Sequence, residues 1–383
     1  MVLAAVGVGL VFCAYWIAQV VFVYFHLRWT RLPVAASPGD AGTGVTVVHP
    51  VKDLDFELEL NLRSWLTQDY PGPVQHVFSF QAADDPAIPV VRTVLAHHPA
   101  SDTAVIVNPL MPGLNGKSSN MVHGLAEAKH PIVLFGDSDT RVGPDFLLKM
   151  VRPLRDPRVG VTTCGQINIG GRDFPTRLFT FLQNCETTFN WAFLTRMGVD
   201  VGITGAAFAM RRDLLASIGG PERFGGSLLE DLFLGNLLRR DGYRLVLGPF
   251  VECHVDRCGL ERSLNYARRI AIGLRRHLAV ELPLFVLMLS WYWIVLLTGV
   301  VLRETTLVAL GLGFVAVRVG TGLLQRPVTL NRMALVDVPM PLLFDVIGLV
   351  YLVFAIRTPV VVWRGLRYRV GAKGEIEEVV PTR

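Results

Sequence analysis

The chain has 383 residues, of which 51% are hydrophobic and 18% charged; this is too apolar for an ordinary soluble domain, where the charged share is about a quarter. Lys and Arg outnumber Asp and Glu by 37 to 32, a formal net charge of +5. That excess suits anionic lipid headgroups, and with no zinc-finger spacing, ribonucleoprotein aromatic motif or long basic run it excludes nucleic acid as a partner.

In chain order, residues 2–25 carry no charge and exceed the roughly 20 residues needed to cross a bilayer. His26, Arg28 and Arg31 follow at once and place that end in the cytoplasm. The neutral start argues for an uncleaved anchor over 1–27 rather than a signal peptide. A linker spans 28–44, rich in Pro, Ala and Gly from Pro33 to Gly44. Over 45–258 short apolar runs alternate with helical patterns. Val45–Val48, His76–Phe80, Ala104–Val107 and Ile132–Phe135 read as strands. Leu58, Leu62, Trp65 and Leu66 share a helical face, and 118–129 reads as a helix with Ser118 as its N-cap. The alternation predicts an α/β domain with a largely parallel sheet, which binds ligands beyond the carboxyl ends of its strands.

Residues 259–281 form an amphipathic interfacial helix region, and 282–363 hold the remaining membrane segments. Pro283–Leu302 is uncharged; Thr305–Leu324 carries Arg318, expected to snorkel; Val338–Ile356 carries Asp345, expected to face protein or the interface. Three full spans would put the tail outside, yet Arg357, Arg364, Arg367, Arg369 and Lys373 favour the inside. One segment, 338–363, is therefore expected to be re-entrant or interfacial, leaving 364–383 as a cytoplasmic basic tail. The five cysteines are scattered, which excludes a disulfide framework and fits a reducing compartment.

Four groups of residues could carry chemistry. Asp137 and Asp139, in the turn after an apolar strand, could grip Mg²⁺ or Mn²⁺ together with diphosphate oxygens, or be a solvated turn. Glu230-Asp231 opens a helix after Gly225-Gly226-Ser227; the pair serves the helix dipole, or supplies a carboxylate that takes a proton from an acceptor hydroxyl. Lys117, with Asn115 and Asn120, could hold a phosphate at a helix start, or be a surface lysine. Arg262, Arg268, Arg269, Arg275 and Arg276 bind headgroups, clamp a diphosphate, or both. Cys253-His254…Asp256…Cys258 is too irregular for structural zinc.

The order of motifs is specific. Asp84-Asp85-Pro86-Ala87 and Asn115-x-Lys117-x-x-Asn120 precede Gly136-Asp137-Ser138-Asp139 and Arg141-Val142-x-Pro144. Thr204-Gly205, Met210-Arg211-Arg212-x-x-Leu215, Gly219-Gly220, Glu230-Asp231 and Trp363-Arg364-x-x-x-Tyr368-Arg369 follow. Over nearly its whole length the chain resembles the ceramide glucosyltransferase family, a GT-A branch of the nucleotide-sugar transferases whose bacterial members include hopanoid glycosyltransferases.

The resemblance implies a Rossmann-like GT-A domain between N-terminal and C-terminal transmembrane helices, in a bacterial inner membrane with the catalytic domain cytoplasmic. It implies inverting transfer of a hexose from a UDP-sugar, UDP-glucose first, to a membrane lipid such as ceramide. A hopanoid acceptor with UDP-N-acetylglucosamine, a processive polysaccharide synthase and a weakened lipid-binding homologue are the alternatives. Asp231 would be the general base. Asp139 would hold Mg²⁺ or Mn²⁺ with Asp137. Lys52, Asp84, Lys117, Asn120, Asp137, Arg262, Tyr266 and Arg268 would bind the donor. The family's uridine-contacting aspartate falls at Ala82. Its Gln/Arg-x-x-Arg-Trp motif is met by Arg262-Ser263-Leu264-Asn265-Tyr266, with Arg268 or Arg269 in the next turn to replace the missing arginine.

Overall fold

The structure, a computed structural model, describes residues 2–112, 115–199, 202–274, 282–357, 360–363, 366–371 and 375–381. The chain divides into two compact units. One holds residues 26–168 and 191–254; the other holds 1–25, 169–190 and 255–383. Arg275, Arg276, Arg364 and Lys373 lie outside the described residues.

The strands in chain order are β1 (Val45–Pro50), β2 (Val74–Phe80), β3 (Asp102–Val107), β4 (Ile132–Gly136), β5 (Val159–Thr163), β6 (Gln166–Gly170), β7 (Ala207–Arg211), β8 (Arg244–Leu247), β9 (Val251–Val255), β10 (Val360–Trp363), β11 (Leu366–Val370) and β12 (Ile376–Pro381). The first unit is built on a seven-stranded sheet in the order β3-β2-β1-β4-β7-β5-β8. Strands β1 to β4 are parallel, with Val45 opposite both Val74 and Ile132, while β7 runs antiparallel between β4 and β5. All six residues of β1 are buried, as a strand covered on both faces requires. Val45 and Val47 pack with Trp65, Leu134, Phe146 and Met150 on one face. Val48 packs with Met121, Phe135, Phe208 and Leu238 on the other. That alternation is the strand period of two.

The chain builds outward from β1 through β2 to β3, then returns to place β4 on the opposite side of β1. The direction of winding reverses there, and the crevice beyond the carboxyl ends of β1 and β4 is where such sheets bind ligands. The helix after β3 begins two residues before the expected start. It spans Gly116–Ala126, and its cap is Asn115, whose side chain accepts the Lys117 N–H at 2.9 Å. Ser118 is fully buried inside the first turn.

In the other unit, apolar helices span Val2–Thr30 (to residue 25), Leu282–Leu302, Thr305–Val328 and Met340–Arg357. Among the described residues, Val2–Thr30 and Thr305–Val328 are long and apolar enough to cross a membrane. Arg318 does not snorkel as expected. Its side chain is 4% exposed and makes a two-pronged pair with Asp345, at 2.8 and 2.6 Å, while Tyr292 donates to the same carboxylate at 2.8 Å. A carboxylate within reach makes the buried guanidinium cheaper to keep than to extend. Asp345, with no exposure, thus faces protein.

Segment 338–363 holds the helix Met340–Arg357 followed by β10. The region read as a basic tail is folded: its β11 and β12 form an antiparallel sheet with β10, which precedes it. In Leu366-Arg367-Tyr368-Arg369-Val370 the residue type alternates, burying Tyr368 and Val370 and exposing both arginines. The charge count obscured this period of two.

Candidate active site

Strand β4 ends at Gly136, and its pairing with Ala207 brings the turn before β7 alongside. Asp137 donates its N–H to Ala206 O at 2.9 Å. Its carboxylate is gripped by Lys117, whose Nζ lies 2.7 Å from each oxygen and also donates to Gly205 O at 2.8 Å. The sequence reading gave Lys117 to a phosphate; the fold turns its ammonium onto Asp137. Burial alone would lower the Lys117 ammonium, but the charges of Asp137, Glu230 and Asp231 outweigh it and hold its pKa above the usual value.

Asp231 and Glu230 stand in the first turn of the helix Glu230–Arg240. A Cβ placed on Gly205 would lie 3.1 Å from Asp231 Oδ2 and 3.1 Å from Lys117 Nζ. One glycine therefore marks where the base candidate and the lysine converge, and the space above it stays open only because no side chain is there. Glu230 is buried, 7% exposed, and accepts from Asn115 Nδ2 at 3.1 Å. Burial, then the neighbouring Asp231 charge, push its carboxyl up to about 7 against the opposing pull of Lys117.

The acidic turn is mounted rigidly. Ser138 donates to Asp55 Oδ2 at 2.6 Å, Asn61 donates to Ser138 O at 3.3 Å, and Thr140 Oγ1 donates to Asp137 O at 2.5 Å. Trp65 Nε1 donates to Thr140 O at 3.1 Å, and His49 Nδ1 donates to Gly136 O at 3.2 Å. Burial drives His49 well below the usual histidine range and its stacked neighbour His76 down to about 4, so both rings are neutral near pH 7. The sequence reading passed over Asp55, Asn61 and His49, and met Gly205 only as part of a motif, with no role. Asn61 left a signal: it is a polar residue on the buried stripe of Leu58, Leu62 and Trp65.

Asp139 is half-buried, and among the described residues no hydrogen bond or ion pair engages its carboxylate. No three His, Cys, Asp or Glu side chains among the described residues form a metal site by themselves. One free carboxylate beside a second fits a hard cation that takes its other oxygens from phosphates and water. Zinc is not favoured at Cys253, because burial and the charges of Asp139 and Asp137 raise the thiol well above its usual range and a zinc ligand must be a thiolate.

Beyond β1 and β2 lies an open recess of about 340 Å³ lined by Lys52, Asp53, Gln81, Ala82, Asp84, Asp85 and Pro86. Asp85 shapes it, accepting the N–H of Ala87 at 2.9 Å and of Asp53 at 3.1 Å. Asp84 is exposed. Asn120 is buried and donates to Val51 O at 3.2 Å, fixing the segment that leads to Lys52. Thus Lys52 and Asp84 line one recess, and Lys117 pairs with Asp137 close to Asp231. Arg262, Tyr266 and Arg268 belong to the other unit, on the helix Leu260–Leu274, where Arg262 stacks over Phe179 at 5.0 Å and Tyr266 meets the same ring edge-on at 5.9 Å.

Residues 7–376 match the family described as Glycosyl transferase family 21. Ceramide glucosyltransferase 3 of Caenorhabditis elegans is 27% identical over 243 residues, covering 63% of this chain and 52% of that protein. Ceramide glucosyltransferase 1 of the same organism is 28% identical over 271 residues, covering 68% and 57%. An N-acetylglucosaminyltransferase of Rhizobium meliloti is 27% identical over 201 residues, covering 49% and 45%. The chain spans little more than half the length of these ceramide glucosyltransferases. Among solved structures, the mannosyltransferase of Pyrobaculum calidifontis in complex with GDP-Man and Mn²⁺ aligns over 92% of this chain and 99% of its own, with a TM-score of 0.50 and 19% identity. The fold is the GT-A fold, with a parallel-dominated sheet.

Proposed function

Because the chain belongs to glycosyl transferase family 21 and is a glycosyltransferase, we propose that it moves a hexose from a UDP-sugar, UDP-glucose first, onto the hydroxyl of a membrane lipid such as ceramide, with inversion. The observation that carries this reading is the convergence of Asp231 and Lys117 on Gly205 beside Asp137. The Asp231 carboxylate takes the proton of the acceptor hydroxyl as that oxygen attacks the anomeric carbon. Lys117 keeps Asp137 in place and offsets the surrounding negative charge. Lys52 and Asp84 hold the nucleoside in the recess, with Ala82 on its wall. Asp139, with Asp137 beside it, would hold Mg²⁺ or Mn²⁺, which when bound neutralises charge on the departing diphosphate.

The helix Val2–Thr30 acts as the anchor and the unit of 26–168 and 191–254 as the catalytic part, on the cytoplasmic side of a bacterial inner membrane. Tethering supplies proximity to an acceptor that does not diffuse through water. A second donor, UDP-N-acetylglucosamine, rests on the likeness to the Rhizobium N-acetylglucosaminyltransferase.

The test is UDP release by detergent-purified protein with Mn²⁺, a panel of UDP-sugars, and ceramide present or absent, beside Asp231→Asn. Ceramide-dependent release that disappears in the variant is expected. Equal release by Asp231→Asn would overturn the assignment of the base, and release indifferent to every lipid would overturn the acceptor.

A further inference from the structure

Residues 53–60 form a rim beside the acidic turn, and their backbone is bent in an uncommon way. Asp53 and Glu57 have φ of 61° and 53°, in the left-handed region that side chains other than glycine seldom enter. Between the bends the side chains alternate. Asp55 and Glu57 turn inward, Asp55 to Ser138 Oγ at 2.6 Å and Glu57 to Arg141 Nη2 at 2.6 Å. Leu54, Phe56 and, in the helix that follows, Leu60 turn outward and are 57%, 44% and 50% exposed. Two of the segment's carboxylates are thus drawn inward while Asp53 and Glu59 stay at the surface, and beside them stand three large apolar groups that a loop in water would hide; exposed apolar groups gathered on one short segment mark a contact surface.

What meets that surface is indicated by the end of the anchor helix, whose last residues, from His26, belong to the same unit. His26 is bonded to Gly248 O at 2.9 Å, and Lys149 Nζ donates to Thr30 O at 2.6 Å. From there a path of side-chain contacts runs to the rim. Arg31 lies 3.8 Å from Glu252, Glu252 lies 3.4 Å from His254, and His254 lies 3.9 Å from Glu57, the residue next to Phe56. Trp29 and Leu32, 70% and 60% exposed, stand where the path starts. The rim is thus three side-chain contacts from the point where an apolar 29-residue helix ends.

We infer that Leu54, Phe56 and Leu60 are a lipid-surface contact, dipping into the boundary between headgroups and acyl chains and so holding the acidic turn at the depth of a lipid hydroxyl. The inference rests on the reading of Val2–Thr30 as a membrane helix. Apolar tips flanked by inward-turned carboxylates suit that boundary, where binding grows with the apolar area buried.

The five native cysteines are all buried, so an introduced surface thiol labels selectively. Phe56→Cys, Leu60→Cys and Leu10→Cys, the last at a 60% exposed position of the anchor helix, would each carry an environment-sensitive fluorophore in the full chain. The proteins would sit in phosphatidylcholine nanodiscs with nitroxide placed near the headgroup or deep in the acyl chain. The expected result is at least about twofold quenching at 56 and 60 by the shallow nitroxide, shielding of both from aqueous iodide, and quenching at 10 by the deep nitroxide. Positions 56 and 60 open to iodide and unquenched, while 10 is quenched, would overturn the inference and leave the membrane helix standing. No quenching at 10 would remove the membrane reading and this inference with it. As a second readout, Phe56→Ser should raise KM for a long-chain lipid acceptor severalfold and leave KM for the UDP-sugar unchanged; equal change in both would count against a lipid contact.

Discussion

Replacing Glu230 by Gln tests the electrostatics of the site without disturbing its shape. The amide keeps an oxygen for Asn115 Nδ2, now at 3.1 Å from the carboxylate, and removes only the ability to ionise. Burial and the Asp231 charge raise the Glu230 carboxyl from 4.5 to about 7, a displacement of about 2.5 pH units, and at about 1.4 kcal/mol per unit the native state disfavours the ionised form by about 3 kcal/mol. The sign follows from which state binds the proton more tightly. Below 4.5 both folded and unfolded chains hold it, and the residue costs nothing. As pH rises from 4.5 through about 7 the unfolded chain releases its proton first, so native stability falls across that window and the full penalty is present at pH 8. Glu230→Gln should therefore differ little from the parent at pH 5 in its pH-dependent part and gain about 3 kcal/mol on it by pH 8. For a domain of some 150–250 residues that is about 6–12 °C in Tm. Unfolding in detergent followed by tryptophan fluorescence, parent against variant at pH 5 and pH 8, reads this directly. A separation in Tm that is the same at both pH values would show that Glu230 ionises as an ordinary surface carboxylate, and the reasoning about its burial would fall.

Gly205→Ala places a methyl 3.1 Å from both Asp231 Oδ2 and Lys117 Nζ; displacing catalytic groups by a fraction of an ångström should lower kcat by about 10- to 100-fold with donor KM little changed, and an unaltered kcat would mean that the space above Gly205 is not where the acceptor reacts. Arg318→Met strands the buried Asp345 carboxylate and should cost about 3–5 kcal/mol, whereas Arg318→Met with Asp345→Leu should recover most of it; thermal unfolding of the two variants in detergent measures the difference, and a double variant as unstable as the single one would refute the pairing argument. Ala82→Asp adds an acceptor to the wall of the recess and should tighten UDP binding about 10-fold, the worth of one hydrogen bond to a charged group; calorimetry that finds no change would remove the nucleoside from that recess.

The first half of the sheet was readable because its strands are short apolar runs between turn residues, and Val45–Val48 and Ile132–Phe135 differ from β1 and β4 only at their ends. β7 was not readable. Ala207-Phe-Ala-Met-Arg211 has no β-branched residue, and its place between β4 and β5 is fixed by pairing with distant strands. Asp137 and Asp231 were legible as types in context, but their relation to Lys117 was not. A lysine twenty residues from its carboxylate has no sequence signature, and an exposed loop and a helix start look alike until Asn115 is seen to cap the turn. The same holds for Arg318 and Asp345. Each is costly alone in an apolar segment, and each reads as a defect until the fold sets them at 2.6 Å.

The two buried charge groups differ in balance, and the difference bears on function. Arg318 and Asp345 cancel, which is what a structural pin between helices requires. Around Lys117 acidic groups predominate. Its one ammonium faces the carboxylates of Asp137, Glu230 and Asp231, and among the described residues no hydrogen bond or ion pair engages the carboxylate of Asp139. A nucleotide diphosphate is itself an anion, so carboxylates gathered this way favour it in company with a cation. A divalent cation would suit the Asp139 carboxylate, since such ions take one or two carboxylates together with phosphate oxygens.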